Sequence, residues 1–338
     1  MAQSTAINPL AWLIWLAGVA SVPVVTRNPF YLTLDLLVVV VVYLTLPRQS
    51  GTARAWRLFV TIGLTLAILS IGFNVLTVHV GDRVFARIPD AMPILGGALT
   101  WNALIYGSLS ALGLSTLLIA AAAFNTAVRP GDLIRLLPGS FANLGIAGSI
   151  AMTMVPQTIA AGRDIYDAQR ARGHRFRGLR DARSLVVPLL GTSLERAITL
   201  SEALETRGFG ASVVSVPVSA PRLPLLAAAG CFMLSLALLG YGQIAGGLLA
   251  LGAGVAVALL GGPRRNPRSR FRHMEWRLAS RIIASAGLLC PLGLALIPSL
   301  TSTPLAYDPF PILNAPDFQP LIGVVIVLLA LPAFWTTA

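Results

Sequence analysis

The sequence predicts an all-α, polytopic membrane protein with about eight transmembrane helices and an amphipathic helical domain facing the cytoplasm. Three observations carry that expectation. Of the 338 residues, 56% are hydrophobic and only 11% are charged, against about 25% charged in soluble domains. The apolar residues come in helix-length runs joined by short segments rich in arginine, and mean hydropathy is +0.78. Between Pro138 and Gly210 the chain becomes densely charged, and two helix-length segments there each end in an Arg-Gly pair.

Composition excludes several functions. All 25 basic residues are arginine. Without lysine the chain has no P-loop nucleotide site of its own and no Schiff-base nucleophile. The net charge of +12 comes from arginines in loops mostly on one side of a membrane, the positive-inside pattern, with Arg27 in the first outer turn an exception, so nucleic acid is not an expected partner. Cys231 and Cys290 lie inside apolar runs, and His79, His174 and His273 are far apart. No disulfide framework, metal site or cofactor is expected from such a set.

The elements follow in order. The N-terminus lacks a basic region and runs into Leu10 to Val25, an apolar helix short for a full crossing. Thr26 to Pro29 is a turn, and Phe30 to Leu46 a second apolar run. Its Asp35 is placed near the helix start, where dipole and interface tolerate an acid. Arg48, Arg54 and Arg57 mark a cytoplasmic loop, and Leu58 to Val78 is a membrane helix. His79 to Pro93 balances Arg83 and Arg87 with Asp82 and Asp90 and is placed outside. A crossing from about Leu99 returns the chain to a cytoplasmic turn at Arg129, Asp132 and Arg135. Beyond Gly210, Ser212 to Pro224 is a linker, and Leu225 to Gly240 and Ile244 to Leu260 form a membrane hairpin. Gly246, Gly247, Gly252 and Gly254 suit its second arm to close packing. Arg264 to Arg281 is a cytoplasmic loop, Ile282 to Ile297 goes out, Leu300 to Gln319 lies outside, and Leu321 to Trp335 returns. Both termini are then inside. The domains divide as 1–138, 139–210 and 211–338.

In the middle region, Leu144 to Ala161 is apolar with a kink at Pro156, then Arg163, Asp164, Asp167, Arg170 and Arg172 follow before Gly173. Arg163 and Asp167, four apart, can pair on one face. The second segment, Ser184 to Thr206, carries Thr192, Glu195, Thr199 and Glu202 on one face. Leu190, Leu194, Ala197, Ser201 and Leu204 recur on another, as in an amphipathic helix. Glu195, Arg196, Glu202 and Glu205 make crossing costly, so the helix is expected at the interface. Gly173 and Gly208 can take the left-handed turn that ends a helix, leaving Arg172 and Arg207 at the tips. An exposed guanidinium there can fork onto a partner's carboxylate. The loop between, where Arg172, Arg175, Arg177, Arg180 and Arg183 crowd, suits anionic lipid headgroups or a second acidic contact on a partner.

These tips carry a resemblance. Ala171-Arg172-Gly173 and Thr206-Arg207-Gly208 are similar to the coupling-helix triplets of the transmembrane T component of energy-coupling factor (ECF) transporters. The Ala-to-Thr change at Thr206 departs from the family's triplet and keeps its Arg and Gly. Met154-Val-Pro156, the stretch from Leu185 to Ala197, the stretch from Asn74 to Phe85 and Ala103 to Gly107 also resemble that family, so the likeness runs from Asn74 to Gly210. The resemblance implies a multi-pass protein of a prokaryotic plasma membrane with a cytoplasm-facing coupling-helix domain. It implies that Arg172 and Arg207 dock on two cytoplasmic ABC ATPase subunits, with Ala171, Gly173, Thr206 and Gly208 shaping the fit. Leu190, Leu194 and Leu204 would pack on a small membrane S component or on lipid. The chain would then be a non-catalytic subunit, its S component choosing among vitamins, their precursors and metal ions. A stand-alone secondary carrier, with Asp35 as its ion or proton site, and a membrane scaffold are the alternatives.

Overall fold

The computed structural model describes residues 7–47, 52–89, 97–134, 136, 142–173, 182–208, 276–301, 305 and 307–336, with isolated positions between 227 and 257. The fold is overwhelmingly helical. Its helices are α1 (Pro9–Val25), α2 (Pro29–Thr45), α3 (Thr52–Thr77), α4 (Trp101–Ala127), α5 (Pro130–Ile134), α6 (Ala142–Ala171), α7 (Arg183–Thr206), α8 (Leu278–Thr301), α9 (Pro320–Val327) and α10 (Pro332–Thr336). A 3-10 turn at Leu328–Ala330 joins the last two. Among the described residues, Leu58–Thr77, Trp101–Ala127 and Leu278–Pro298 are long and apolar enough to cross a membrane. Pro9–Val25, Pro29–Thr45 and Pro320–Trp335 are shorter apolar helices. The expected hairpin of Leu225 to Leu260 falls largely outside the described residues.

The chain divides into two compact units. One comprises Met1–Leu133, Cys231–Gly252 and Arg268–Ala338; the other comprises Ile134–Gly230 and Ala253–Pro267.

In the first unit the helix starts are written locally. Asn8 and Asn28 each precede a proline and cap their helix, accepting from the Leu10 and Phe30 amides at 3.0 Å. Proline suits the first helical position because its missing N–H has no partner there anyway. Thr100 caps α4 through the Ala103 amide at 3.3 Å.

Packing follows from small residues. α1 and α8 meet where Gly18 faces Gly287, and a Cβ on Gly18 would lie 2.6 Å from the Gly287 carbonyl oxygen. Trp12, Trp15, Val19, Val39, Ile283, Leu294 and Ile326 fill the core around them. Pro332 interrupts the C-terminal helix, and the Leu329 carbonyl accepts the Trp15 indole N–H at 2.8 Å. α3 packs on α4 through Gly107, whose Cβ would meet the Ile71 Cα at 2.9 Å. The other side of α3 exposes Leu64, Ile68 and Phe73, as a helix facing lipid does.

One element was not expected. Val84–Ile88 (β1), in the segment read as an outer connection, pairs antiparallel with Gly97–Thr100 (β2), which overlaps the expected start of the next crossing at Leu99. β2 runs straight into α4, which fixes Asn102 beneath the hairpin. Buried Asn102 donates to Asp82 Oδ1 at 3.0 Å and to the Pro309 carbonyl at 2.7 Å. The Leu313 amide donates to the same Asp82 oxygen at 3.3 Å. The Asn102 amide, with backbone bonds and the Arg83 guanidinium, holds the Asp82 carboxyl below its ordinary value of 3.8. A depressed carboxylate stabilises the fold above its unfolded value, and that contribution disappears as pH falls through the folded value. Asp82→Asn should therefore melt below wild type at neutral pH, and the gap should close as the pH drops below 3.8. Melting curves of both proteins across that range check this.

Candidate functional site

The second unit places the two arginine tips. α6 and α7 pack on each other, and Leu189 Cδ2 lies 3.9 Å from where a Gly162 Cβ would stand. Half-buried Thr158, Ala161, Gly162 and Ile165 recur at helical spacing on α6. Leu189, Ser193, Leu200 and Leu204 do the same on α7, which has no fully buried residue.

Each helix ends as its sequence requires. The Arg172 amide bonds the Ala168 carbonyl at 3.2 Å, and Gly173 turns back to the Arg170 carbonyl at 3.0 Å. Gly208 bonds the Glu205 carbonyl at 2.8 Å. Gly173 and Gly208 have φ of +85° and +74°, the left-handed region that a Cβ disfavours. Among the described residues, no atom beyond the neighbouring chain lies within 4 Å of a Cβ built at either position, so there the demand for glycine comes from the backbone. Alanine at either should cost about 1 kcal/mol. We expect Gly173→Ala to speed amide exchange in the final turn of α6 about fivefold, with the rest of the helix unchanged; exchange mass spectrometry reads this directly.

Ala171, Arg172, Thr206 and Arg207 are all exposed. Among the described residues neither arginine forms an ion pair, and Arg163 and Asp167 are both exposed and not paired with each other. Each guanidinium thus offers five donors in a planar fork at a helix terminus, a geometry suited to a carboxylate pair on another molecule. Arg175, Arg177 and Arg180 lie outside the described residues.

The three leucines separate. Leu204 is half buried and lines a shallow groove with Ala197, Leu200, Ser201 and Glu205. Leu190 and Leu194 are 64% and 63% exposed. With Val187 and Ile198 they form an apolar stripe along α7. The sequence reading missed its counterpart on α6, exposed Met152, Val155 and Ile159. Their three- and four-residue spacing was the available signal.

In the first unit Asp35 differs from its expected setting. It is fully buried, and neither carboxylate oxygen has a hydrogen-bond partner. Among the described residues no three metal-ligating side chains converge. No protein-family model and no curated protein sequence matches the chain.

Proposed function

We propose that this chain is the energy-coupling transmembrane subunit of an ECF-type ABC importer. It links ATP hydrolysis by two cytoplasmic ATPase subunits to reorientation of a small membrane S component that takes up a vitamin or a metal ion. The protein spans a prokaryotic plasma membrane many times and leaves nucleotide chemistry to its partners.

The observation that supports this reading is the pair of Arg-Gly helix ends. Two packed helices each terminate in an exposed arginine, without an ion pair among the described residues, followed by a left-handed glycine. Arg172 and Arg207 insert into one acidic groove on each ATPase subunit, and the glycines turn the chain away beneath them. The exposed stripes of α6 and α7 cover the S component or lipid. Closure of the ATPase pair moves the tips, and the helices transmit that displacement.

Purification of the full chain from its native membranes in mild detergent tests the proposal. The reading expects two P-loop ATPase chains and one small membrane protein to accompany it. A chain that purifies without any P-loop subunit contradicts it. A stand-alone carrier is the second reading, favoured by the unpartnered acid at Asp35. It expects substrate uptake by proteoliposomes that contain this chain alone and no ATP.

A further inference from the structure

Asp35 has no role in the coupling scheme, and its surroundings are unusual for a carboxylate. It lies on the seventh residue of α2, about 9 Å along the helix axis from Pro29. It has no accessible surface, and both side-chain oxygens lack a hydrogen-bond donor. α2 packs against α1, α4, α9, α10 and the 3-10 turn between them. Of these, α1, α9 and α10 carry no ionisable side chain.

The remaining candidates for a counter-charge are few. α4 contributes Tyr106, which is engaged by Arg27. On α2 itself, Tyr31 receives the Gln319 amide at 2.8 Å, and Tyr43 stands eight residues beyond Asp35. Behind α1, α8 carries Arg281 and Cys290. The Cys290 thiol accepts from the Ser21 hydroxyl at 3.9 Å. Neither Arg27 nor Arg281 forms an ion pair with Asp35 among the described residues.

An ionised carboxylate in such a place would lack both solvent and counter-ion. A transition-metal ion needs several converging ligands, and no group of three acids, histidines and cysteines forms among the described residues. A proton needs only one oxygen. We propose that Asp35 is a proton-binding site within the membrane bundle, occupied when the bundle is closed. Releasing that proton requires water or a cation to reach the carboxylate. Deprotonation is therefore tied to separation of the helices around α2. This inference is independent of the ATPase-docking proposal.

Infrared spectroscopy of the full chain in lipid tests it. At neutral pH the wild type should show the carbonyl stretch of a protonated carboxylic acid, shifted by isotopic labelling of aspartate. Asp35→Asn should remove the band. Raising the pH should bleach it in the wild type together with faster amide exchange in α2. Where the Asn variant fails to assemble, the isotope shift in the wild type carries the test. A wild-type spectrum with only ionised aspartate bands at neutral pH overturns the proposal. So does a protonated band that survives Asp35→Asn. A band that bleaches with no change in α2 exchange overturns the link to helix separation.

Discussion

Replacing Arg172 and Arg207 together by alanine should leave the chain folded and strip it of its ATPase subunits. Both side chains are exposed and form no ion pair among the described residues, so their removal takes away no salt bridge there. The loss appears only where a partner desolvates them. Truncating one member of a buried charge pair at an interface costs about 2–5 kcal/mol, or roughly thirty- to several-thousand-fold in affinity. Each single variant keeps the other anchor, and a tethered second contact holds a weakened first one in place. The double variant loses both and should fall well below either single. The measurements are ATPase subunits recovered per chain and ATP-driven uptake, with the melting temperature of the isolated chain unchanged as the control.

Alanine at Gly287 should have the opposite character, destabilising the first unit while changing neither arginine. A Cβ there would lie 2.6 Å from the Ile14 carbonyl oxygen and 2.8 Å from the Trp15 Cα. Those are backbone atoms, so no rotamer change relieves the clash and α1 must move away from α8. Overpacking of this kind costs about 1–3 kcal/mol, more where backbone must shift. Here it also loosens Trp15, Cys290 and Leu294, all buried at 1% exposure or less. Gly72→Ala in α3 is the matched comparison, because nothing stands within 4 Å of its Cβ. That change should stabilise by up to about 1 kcal/mol through helix propensity. Size-exclusion profiles and melting temperatures of the two variants should move in opposite directions.

The parts of this molecule that were legible in the sequence are those governed by local chemistry. Asn-Pro starts a helix at Asn8 and again at Asn28, where cap and ring geometry need only neighbouring residues, although the sequence reading began the first helix at Leu10 and took Thr26 to Pro29 as a turn. Gly173 and Gly208 end helices for an equally local reason. What required long-range contact was not legible. Gly18 and Gly287 meet across most of the chain, whereas the sequence pointed to the glycines from Gly246 to Gly254 as the close-packing set. Asp35 was placed by its distance from a helix start. Whether it reaches the interface depends on which neighbours cover that face of α2, and they bury it. The β1–β2 hairpin went unseen because its exposed first strand shows no inward and outward alternation. Leu190, Leu194 and Leu204 fall on one stripe of an isolated helix, yet in the fold only Leu204 is half buried.

Site-specific cross-linking tests the central proposal most directly. A photoreactive residue placed at Arg172, and separately at Arg207, should capture a P-loop ATPase subunit in intact cells from the cytoplasmic face. Capture at neither position in cells that express the complete transporter, or labelling of both by a membrane-impermeant reagent added outside, would contradict the account.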